Sequence, residues 1–188
     1  EYGIKYVKMN IIKKLKEGDV ELPASLDWDL YTNKELNDWQ REGMLIKTTQ
    51  VPANEYKEVF SKLLEEGKDI LYIACSSALS GSYNFSLIVR DELLEKYPDR
   101  KIICIDSLCS CYGQGSMAID AAKMQKEGKN IDEVASYIEE NKLDKKEICT
   151  SYKLSSKSTS SASGITKTVA VEVCTRPIDS VAGTRCTR

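Results

Sequence analysis

The residues with the clearest chemical potential lie between an apolar run and a helical pattern in the first half of the chain. Residues 70–74 form the apolar run, which predicts a buried strand, and apolar residues recur at helical spacing from Phe85 onward. The segment between them, residues 76–82, is here called the serine turn, and its small residues are Ser76, Ser77, Ser80, Gly81 and Ser82. The first amides of a helix lack intrahelical partners and carry partial positive charge, so neighbouring hydroxyls can help them bind a carboxylate or phosphate. A serine that merely caps the helix at a tight turn explains the same residues equally well.

Several enzyme chemistries are excluded by what the sequence lacks. It has no histidine, which excludes a Ser-His-Asp hydrolase, and it contains neither a nucleophile elbow nor a P-loop motif. Residues 113–118 read G-x-G-x-x-A, but they do not directly follow a strand, so a dinucleotide site is not expected. Asp106 is predicted as a turn or capping residue rather than a general base. The seven cysteines lack paired spacing, and we predict no metal site.

Composition is typical of a globular domain in a reducing compartment. The 188 residues are 41% hydrophobic and 30% charged, and the net charge of −2 gives no reason to expect nucleic-acid binding. No apolar run approaches the ~18 residues of a membrane span, and no signal peptide is recognisable. Free thiols are the better interpretation of an odd cysteine count, so we predict a cytoplasmic protein. Because the chain begins with glutamate rather than methionine, we expect it to be a fragment.

Strands and helices are predicted to alternate over most of the chain. The predicted strands are 4–12, 70–75 and 101–105, and the predicted helices are 32–41, 56–66, 82–97, 115–127 and a segment that begins after Asn130. This alternation predicts an α/β fold in which a parallel sheet forms the middle of three layers, with helices on both faces. Ligands of such sheets bind beyond the carboxyl ends of the strands, where we expect Ser76, Ser77 and Ser107.

Composition changes near Cys149, where an acidic excess gives way to a basic one and serine becomes frequent. We therefore predict a domain over residues 1–149 and an atypical tail over residues 150–188. Serine-rich, aromatic-poor sequence buries little apolar surface, so the tail is expected to be less ordered and to pack little against the domain. Residues 169–173 are the one segment of the tail that is predicted as a strand.

Three segments resemble, in order, the motifs of the DegV family of fatty-acid-binding proteins. Residues 47–50, K-T-T-Q, resemble the family's K-T-S-Q, and residues 76–83, S-S-A-L-S-G-S-Y, resemble S-S-x-L-S-G-T-Y. Residues 105–107, I-D-S, resemble the end of V-I-D-S, and the similarity extends from about Ile4 to Leu143.

The resemblance implies an α/β carrier that holds one long-chain fatty acid with its carboxylate against the serine turn. The carboxylate-binding residues would be Thr48, Thr49, Ser76 and Ser77. The turn would be shaped by Ser80, Gly81 and Ser82, with Ser107 as a further residue that lines the pocket.

The implied partner is a separate ATP-dependent fatty acid kinase subunit, to which the bound acyl carboxylate is presented. No cofactor, metal or catalytic residue is expected in the chain itself. Family members usually start with a strand that ends in Asp-Ser or Asp-Thr, and they continue into a second domain with an L-x-x-x-G-R-(L/I)-S motif that closes an apolar tunnel; neither is recognisable here. The alternative interpretation is a degenerate or truncated fragment, an interaction module that binds no lipid.

Overall fold

The described part of the chain forms two β-sheets and five α-helices. A computed structural model describes residues 2–15, 18–24, 29–144 and 169–173. The strands are β1 (Lys5–Tyr6), β2 (Asn10–Leu15), β3 (Gly18–Pro23), β4 (Leu45–Thr48), β5 (Asp69–Ala74), β6 (Ile102–Asp106) and β7 (Val169–Val173). The helices are α1 (Asn33–Arg41), α2 (Ala53–Glu65), α3 (Ser82–Lys96), α4 (Cys111–Lys126) and α5 (Ile131–Asn141), and the last is followed by a short 3₁₀ turn.

The main sheet has the strand order β1-β7-β5-β6 and is covered by helices on both faces. Alternate residues of β5 point to opposite sides: Ile70 and Tyr72 belong to a core with α2 and α3, whereas Leu71 and Ile73 belong to a core with α4 and α5. The predicted α/β fold with helices on both faces is therefore confirmed. Strands β5 and β6 are parallel, with Ala74 paired to Asp106, but β7 runs antiparallel to both of its neighbours, so the sheet is mixed.

The second sheet is antiparallel, with the order β3-β2-β4. The single strand predicted over residues 4–12 is divided between the two sheets, because β1 pairs with β7 and β2 pairs with β3 and β4. Ile11 of β2 is fully buried in the core that also contains Ile70 and Tyr72, so this core joins the two sheets.

The predicted helices are present, and their ends follow the expected signals. Thr32 and Glu35 form a capping box at α1, and Asn130 and Glu133 form a second one at α5. Helix α2 is followed by Gly67 at φ +78°, a left-handed conformation that glycine adopts without strain. Helix α4 begins at Cys111, four residues before the predicted start.

The predicted boundary between residues 149 and 150 lies outside the described residues, as does most of the predicted tail. The exception is the strand predicted at residues 169–173, which is confirmed as β7. It lies between β1 and β5, so these five residues are part of the main sheet, contrary to the expectation that the tail packs little against the domain.

Candidate functional site

A cleft of about 280 Å³ separates the loop after β4 from the serine turn. Its described lining residues are Met9, Thr48, Thr49, Gln50, Cys75, Leu79, Ser80, Gly81 and Ser82. The two walls are thus the K-T-T-Q segment and the serine turn, which are separated by a whole helix in sequence. The fold has brought together the two motifs that carry most of the predicted site.

The loop wall is fixed by Thr49. Its backbone N–H donates to Asn10 O at 2.9 Å, and its Oγ1 accepts from Asn10 N at 3.1 Å. The Thr49 hydroxyl proton is also committed, because Asn10 O and Gln50 O are its acceptors at 3.2 and 2.8 Å. Thr49 lines the cleft, but its hydroxyl mainly ties β2 to the loop.

The other wall is the start of α3. Ser80 Oγ and Ser82 Oγ are 2.9 Å apart, Ser82 N donates to Ser80 Oγ, and Val51 N donates to Ser82 Oγ at 3.3 Å. Since either Oγ can be the donor in the pair, the second hydroxyl keeps a proton that is free to bind a ligand. The helix cap itself is Gly81, with no side-chain hydrogen bond, so the simple serine N-cap is not what forms.

Gly81 is required for space rather than for backbone conformation. Its φ of −69° is open to any residue. A Cβ built on it would lie 2.7 Å from Gln50 Oε1, so a larger residue would displace the Gln50 side chain across the cleft. Gly81 therefore sets how closely the two walls approach.

Two buried tyrosines, Tyr56 and Tyr72, form a hydrogen-bonded chain to the first residue of α3. The Tyr56 hydroxyl donates to Ser82 O at 3.0 Å and lies 2.9 Å from the Tyr72 hydroxyl, which must then be the donor of that pair. Burial raises the pKa of Tyr56 to about 12, and the hydrogen bond that Tyr72 donates to it opposes part of this rise. Tyr56 is thus a neutral donor to Ser82 at ordinary pH.

The first two serines of the turn lie beside the cleft rather than among its described lining residues. Ser76 is nearly buried; its N–H donates to Cys109 O at 2.8 Å, and its Oγ accepts from Ala78 N at 3.3 Å. Ser77 is exposed, and its N–H donates to Asp106 Oδ1 at 3.1 Å. Asp106 therefore caps the serine turn, in agreement with its prediction as a turn or capping residue.

Ser107 does not line the cleft in the described part of the chain. It is fully buried, and its hydroxyl bonds both backbone groups of Cys109, donating to the carbonyl at 3.1 Å and accepting from the amide at 3.2 Å. Both of its hydrogen-bonding functions are used within its own loop, so a role in lining a ligand pocket stays a prediction.

The hydroxyls of Thr48 and Ser77 are exposed and have no hydrogen-bond partner among residues 2–15, 18–24, 29–144 and 169–173. No charged side chain is among the described lining residues, so an anion in the cleft would meet neutral donors and the positive end of α3. Such donors suit a carboxylate. They provide no base or nucleophile-activating group.

A second cleft, of about 430 Å³, lies at the other end of α2. It is lined by Ile4, Lys5, Tyr6, Glu58, Val59, Lys62, Leu63, Glu66 and Lys68. Although it is larger, its lysines are partly used by its own carboxylates: Lys68 bonds Glu66 at 2.8 Å and holds the pKa of that carboxyl below its usual range. We therefore regard the smaller, hydroxyl-lined cleft as the candidate site.

Sequence reasoning did not single out Met9, Cys75, Leu79 or Gln50 as lining residues. Gln50 and Leu79 lie within the K-T-T-Q and S-S-A-L-S-G-S-Y segments, so a signal existed for both. Met9 and Cys75 lie outside these segments, and only the packing of the loops shows that they reach the cleft. In the described part of the chain there is no group of three or more cysteine or carboxylate residues placed to hold a metal, and no helix there is long and apolar enough to span a bilayer.

The fold and the cleft define an α/β protein with a hydroxyl-lined candidate site, without a charged residue in its described lining, beyond the carboxyl ends of two strands. A family model described as "Uncharacterised protein, DegV family" matches residues 2–155, and the chain belongs to that family.

Curated relatives agree with this assignment. A DegV domain-containing protein of Clostridium perfringens is 52% identical over 102 residues, which are 54% of this chain and 35% of the relative. A second one from the same organism is 36% identical over 151 residues, 79% of this chain and 50% of the relative. The chain spans about a third to a half of the length of these relatives.

Solved structures share the fold. A stearic-acid-binding protein from Eubacterium ventriosum matches with a TM-score of 0.60 and 24% identity over 71% of this chain and 44% of its own. A Thermotoga maritima protein, described as revealing a fatty-acid-binding function, matches with a TM-score of 0.58 and 24% identity over 72% of this chain and 47% of its own. At these identities the likeness establishes the fold.

Proposed function

We propose that this protein binds a long-chain fatty acid, with the carboxylate in the cleft between Thr48 and the serine turn. The observation that carries the proposal is that the two motifs meet around one cleft, whose lining in the described residues contains no charged side chain. A carboxylate there would accept hydrogen bonds from the Thr48 hydroxyl, from the Ser80–Ser82 pair and, at the rim, from Ser77. The fatty-acid-binding proteins that share the fold support this choice of ligand.

The role in the cell would be that of a carrier. Neutral donors hold a carboxylate without removing its negative charge, so its oxygens stay reactive toward a phosphoryl donor. We propose that a separate ATP-binding kinase subunit phosphorylates the presented carboxylate, and that this chain supplies no catalytic group of its own.

The small size of the cleft favours a second candidate function, an interaction module that binds no lipid. Ligand pockets commonly span roughly 300–1,000 Å³, and this cleft lies at the lower limit. Its apolar lining in the described residues is only Met9, Cys75 and Leu79. The cleft accommodates a headgroup, but the acyl chain needs further apolar cover. Without it, the chain would be an interaction module that binds no lipid.

Native mass spectrometry of the expressed chain separates these candidates. A mass increment that matches a co-purified long-chain fatty acid, released on denaturation, supports the carrier. An empty protein that also fails to take up added palmitate supports the interaction module. Acyl phosphate should form only when the kinase subunit, ATP and magnesium are added together. Its formation by the chain with ATP and magnesium alone would overturn the carrier function.

A further inference from the structure

The Asp106 carboxylate links the two loops that leave the carboxyl edge of the main sheet. Its Oδ1 accepts from Ser77 N in the serine turn and from Leu108 N in the loop before α4, both at 3.1 Å. Strands β5 and β6 are parallel and Asp106 pairs with Ala74, so the two loops start side by side. A single oxygen thus holds a backbone amide from each loop.

The loop before α4 adopts a conformation that needs such support. Leu108 has φ +53°, a left-handed conformation that is uncommon for residues other than glycine. Burial does not explain it, because the Leu108 side chain is 48% exposed. The hydrogen bond from its amide to Asp106 and the Ser107–Cys109 bonds on either side do explain it.

The same carboxylate brings negative charge to the serine turn. Within the described ranges Asp106 has no ion-pair partner, so this charge is not neutralised by a neighbouring lysine or arginine. It lies one hydrogen bond from Ser77, where the turn would meet an anionic headgroup.

We propose that Asp106 positions the serine turn and that its charge makes the turn bind an anionic headgroup more weakly than it would with a neutral side chain at position 106. The effect of the charge on binding rests on the proposed function, whereas the positioning of the turn does not. Binding of a carboxylate would then be a balance between the neutral donors of the cleft and the repulsion by Asp106, which keeps the ligand from being held too tightly to be passed on.

Two substitutions separate the two roles. Asp106→Asn keeps an oxygen that can accept from both amides but removes the charge, whereas Asp106→Ala removes both. Asp99→Asn is the matched control, because Asp99 is exposed before β6, at the opposite edge of the sheet, and the substitution changes the net charge equally. The probes are palmitate and hexadecan-1-ol, which share a chain length and differ in headgroup charge.

The charge predicts an affinity change that depends on the headgroup. Asp106→Asn should bind palmitate about fourfold more tightly than the parent, as expected for unit charges roughly 5 Å apart at the dielectric constant of water, with hexadecan-1-ol unchanged. Equal palmitate affinity in the two proteins, or equal tightening for both probes, would overturn the charge effect. Asp99→Asn should change neither affinity.

The positioning role is read without ligand. Amide hydrogen exchange of Ser77 and Leu108 should be at least tenfold faster in Asp106→Ala and near the parent rate in Asp106→Asn. Unchanged exchange in Asp106→Ala overturns the positioning role. If neither the parent nor Asp106→Asn binds palmitate, the proposed function and the charge effect fail together, and the exchange rates still decide the positioning role. Palmitate binding that is insensitive to Asp106→Asn leaves the proposed function standing and overturns the charge effect alone.

Discussion

The Tyr56 hydroxyl, deep in the core between α2 and β5, donates a 3.0 Å hydrogen bond to the backbone carbonyl of Ser82, the first residue of α3. Both residues are almost completely buried. The Tyr56 ring packs edge-on against Phe60 and Tyr72, with centroids 5.6 and 5.5 Å away. This contact anchors the wall of the cleft to a rigid aromatic cluster.

Removal of the Tyr56 hydroxyl should therefore loosen the serine turn. Tyr56→Phe keeps the ring but removes the hydrogen bonds with Ser82 O and the Tyr72 hydroxyl, and we expect the free energy of unfolding to fall by about 1–2 kcal/mol. Denaturant unfolding measures this. The control is Tyr97→Phe, which removes an exposed hydrogen bond to Glu65 and should cost less. An equal loss in both variants would show that the Tyr56 bond has no special weight.

Alkaline pH should weaken the same contact. The folded-state pKa of Tyr56 is about 12, above the ordinary value of 10.0, so its neutral form is favoured in the folded protein. The stability that this difference in pKa contributes is complete below pH 10 and is lost as the pH rises toward 12. The stability advantage of the parent over Tyr56→Phe should shrink by roughly 2 kcal/mol across that window. A difference that is constant from pH 9 to pH 12 would contradict the assignment.

Thr48 and Thr49 are adjacent, yet their substitution should have opposite consequences. Thr48→Val removes a hydroxyl with no partner in the described residues and should weaken palmitate binding at least tenfold, the usual loss of roughly 1.5–3 kcal/mol for a hydrogen bond to a charged group, with stability unchanged. Thr49→Val breaks the tie to Asn10 and should lower stability first. Titration calorimetry and thermal unfolding on both variants test this. Palmitate binding unaltered by Thr48→Val would place the headgroup elsewhere.

Ser77→Ala provides a separate test of the rim of the cleft. The Ser77 hydroxyl is exposed and has no partner in the described ranges, whereas its amide is already bound to Asp106. We expect a weaker loss of palmitate affinity than for Thr48→Val, because Ser77 lies beside the cleft rather than in its described lining. If Ser77→Ala loses more palmitate affinity than Thr48→Val, the headgroup lies closer to Asp106 than we propose.

Substitution of the buried Gln114 by glutamate should make the stability of the protein depend on pH. It is fully buried, its Nε2 donates to Ile73 O at 3.0 Å, and its Oε1 has no partner in the described part of the chain. In Gln114→Glu the ionised carboxylate cannot donate to Ile73 and is buried, so we expect a loss of about 2–4 kcal/mol at pH 7. The protonated carboxyl can donate, and stability should recover in part at pH 5. Gln125→Glu, on the same helix, should show no such recovery; equal behaviour of the two variants would contradict the role of burial.

The local signals in the sequence predicted the helices well. Capping residues such as Thr32 and Asn130, and glycine after α2, act within one turn and do not depend on distant contacts. Helix α4 begins four residues before the predicted start at Gly115, and the added turn includes Gly113, a poor helix former. Gly113 and Gln114 are buried in the structure, and tertiary packing compensates for that weak propensity.

The second sheet could not be predicted, because its strands are short and partly exposed. Residues 18–23 and 45–48 show no apolar run that distinguishes them from loops, and their pairing with β2 is a long-range event. For the site, the sequence pointed to two segments, residues 48–49 and 80–82, that line one cleft, but it did not show how their hydroxyls are used. Ser107 and Thr49 are committed to backbone partners, and only the fold reveals that commitment.

The most direct test of the central claim is an NMR titration of the uniformly ¹⁵N-labelled chain with palmitate that carries ¹³C at its carboxyl carbon. We predict that saturable amide shifts concentrate at residues 48–50 and 76–82, and that Thr48→Val alters the bound ¹³C resonance. Lys62→Ala, in the larger cleft beside α2, should leave both unchanged. Shifts that concentrate around Lys5 and Lys62, or no saturable shifts at all, would contradict a fatty-acid carboxylate at the serine turn.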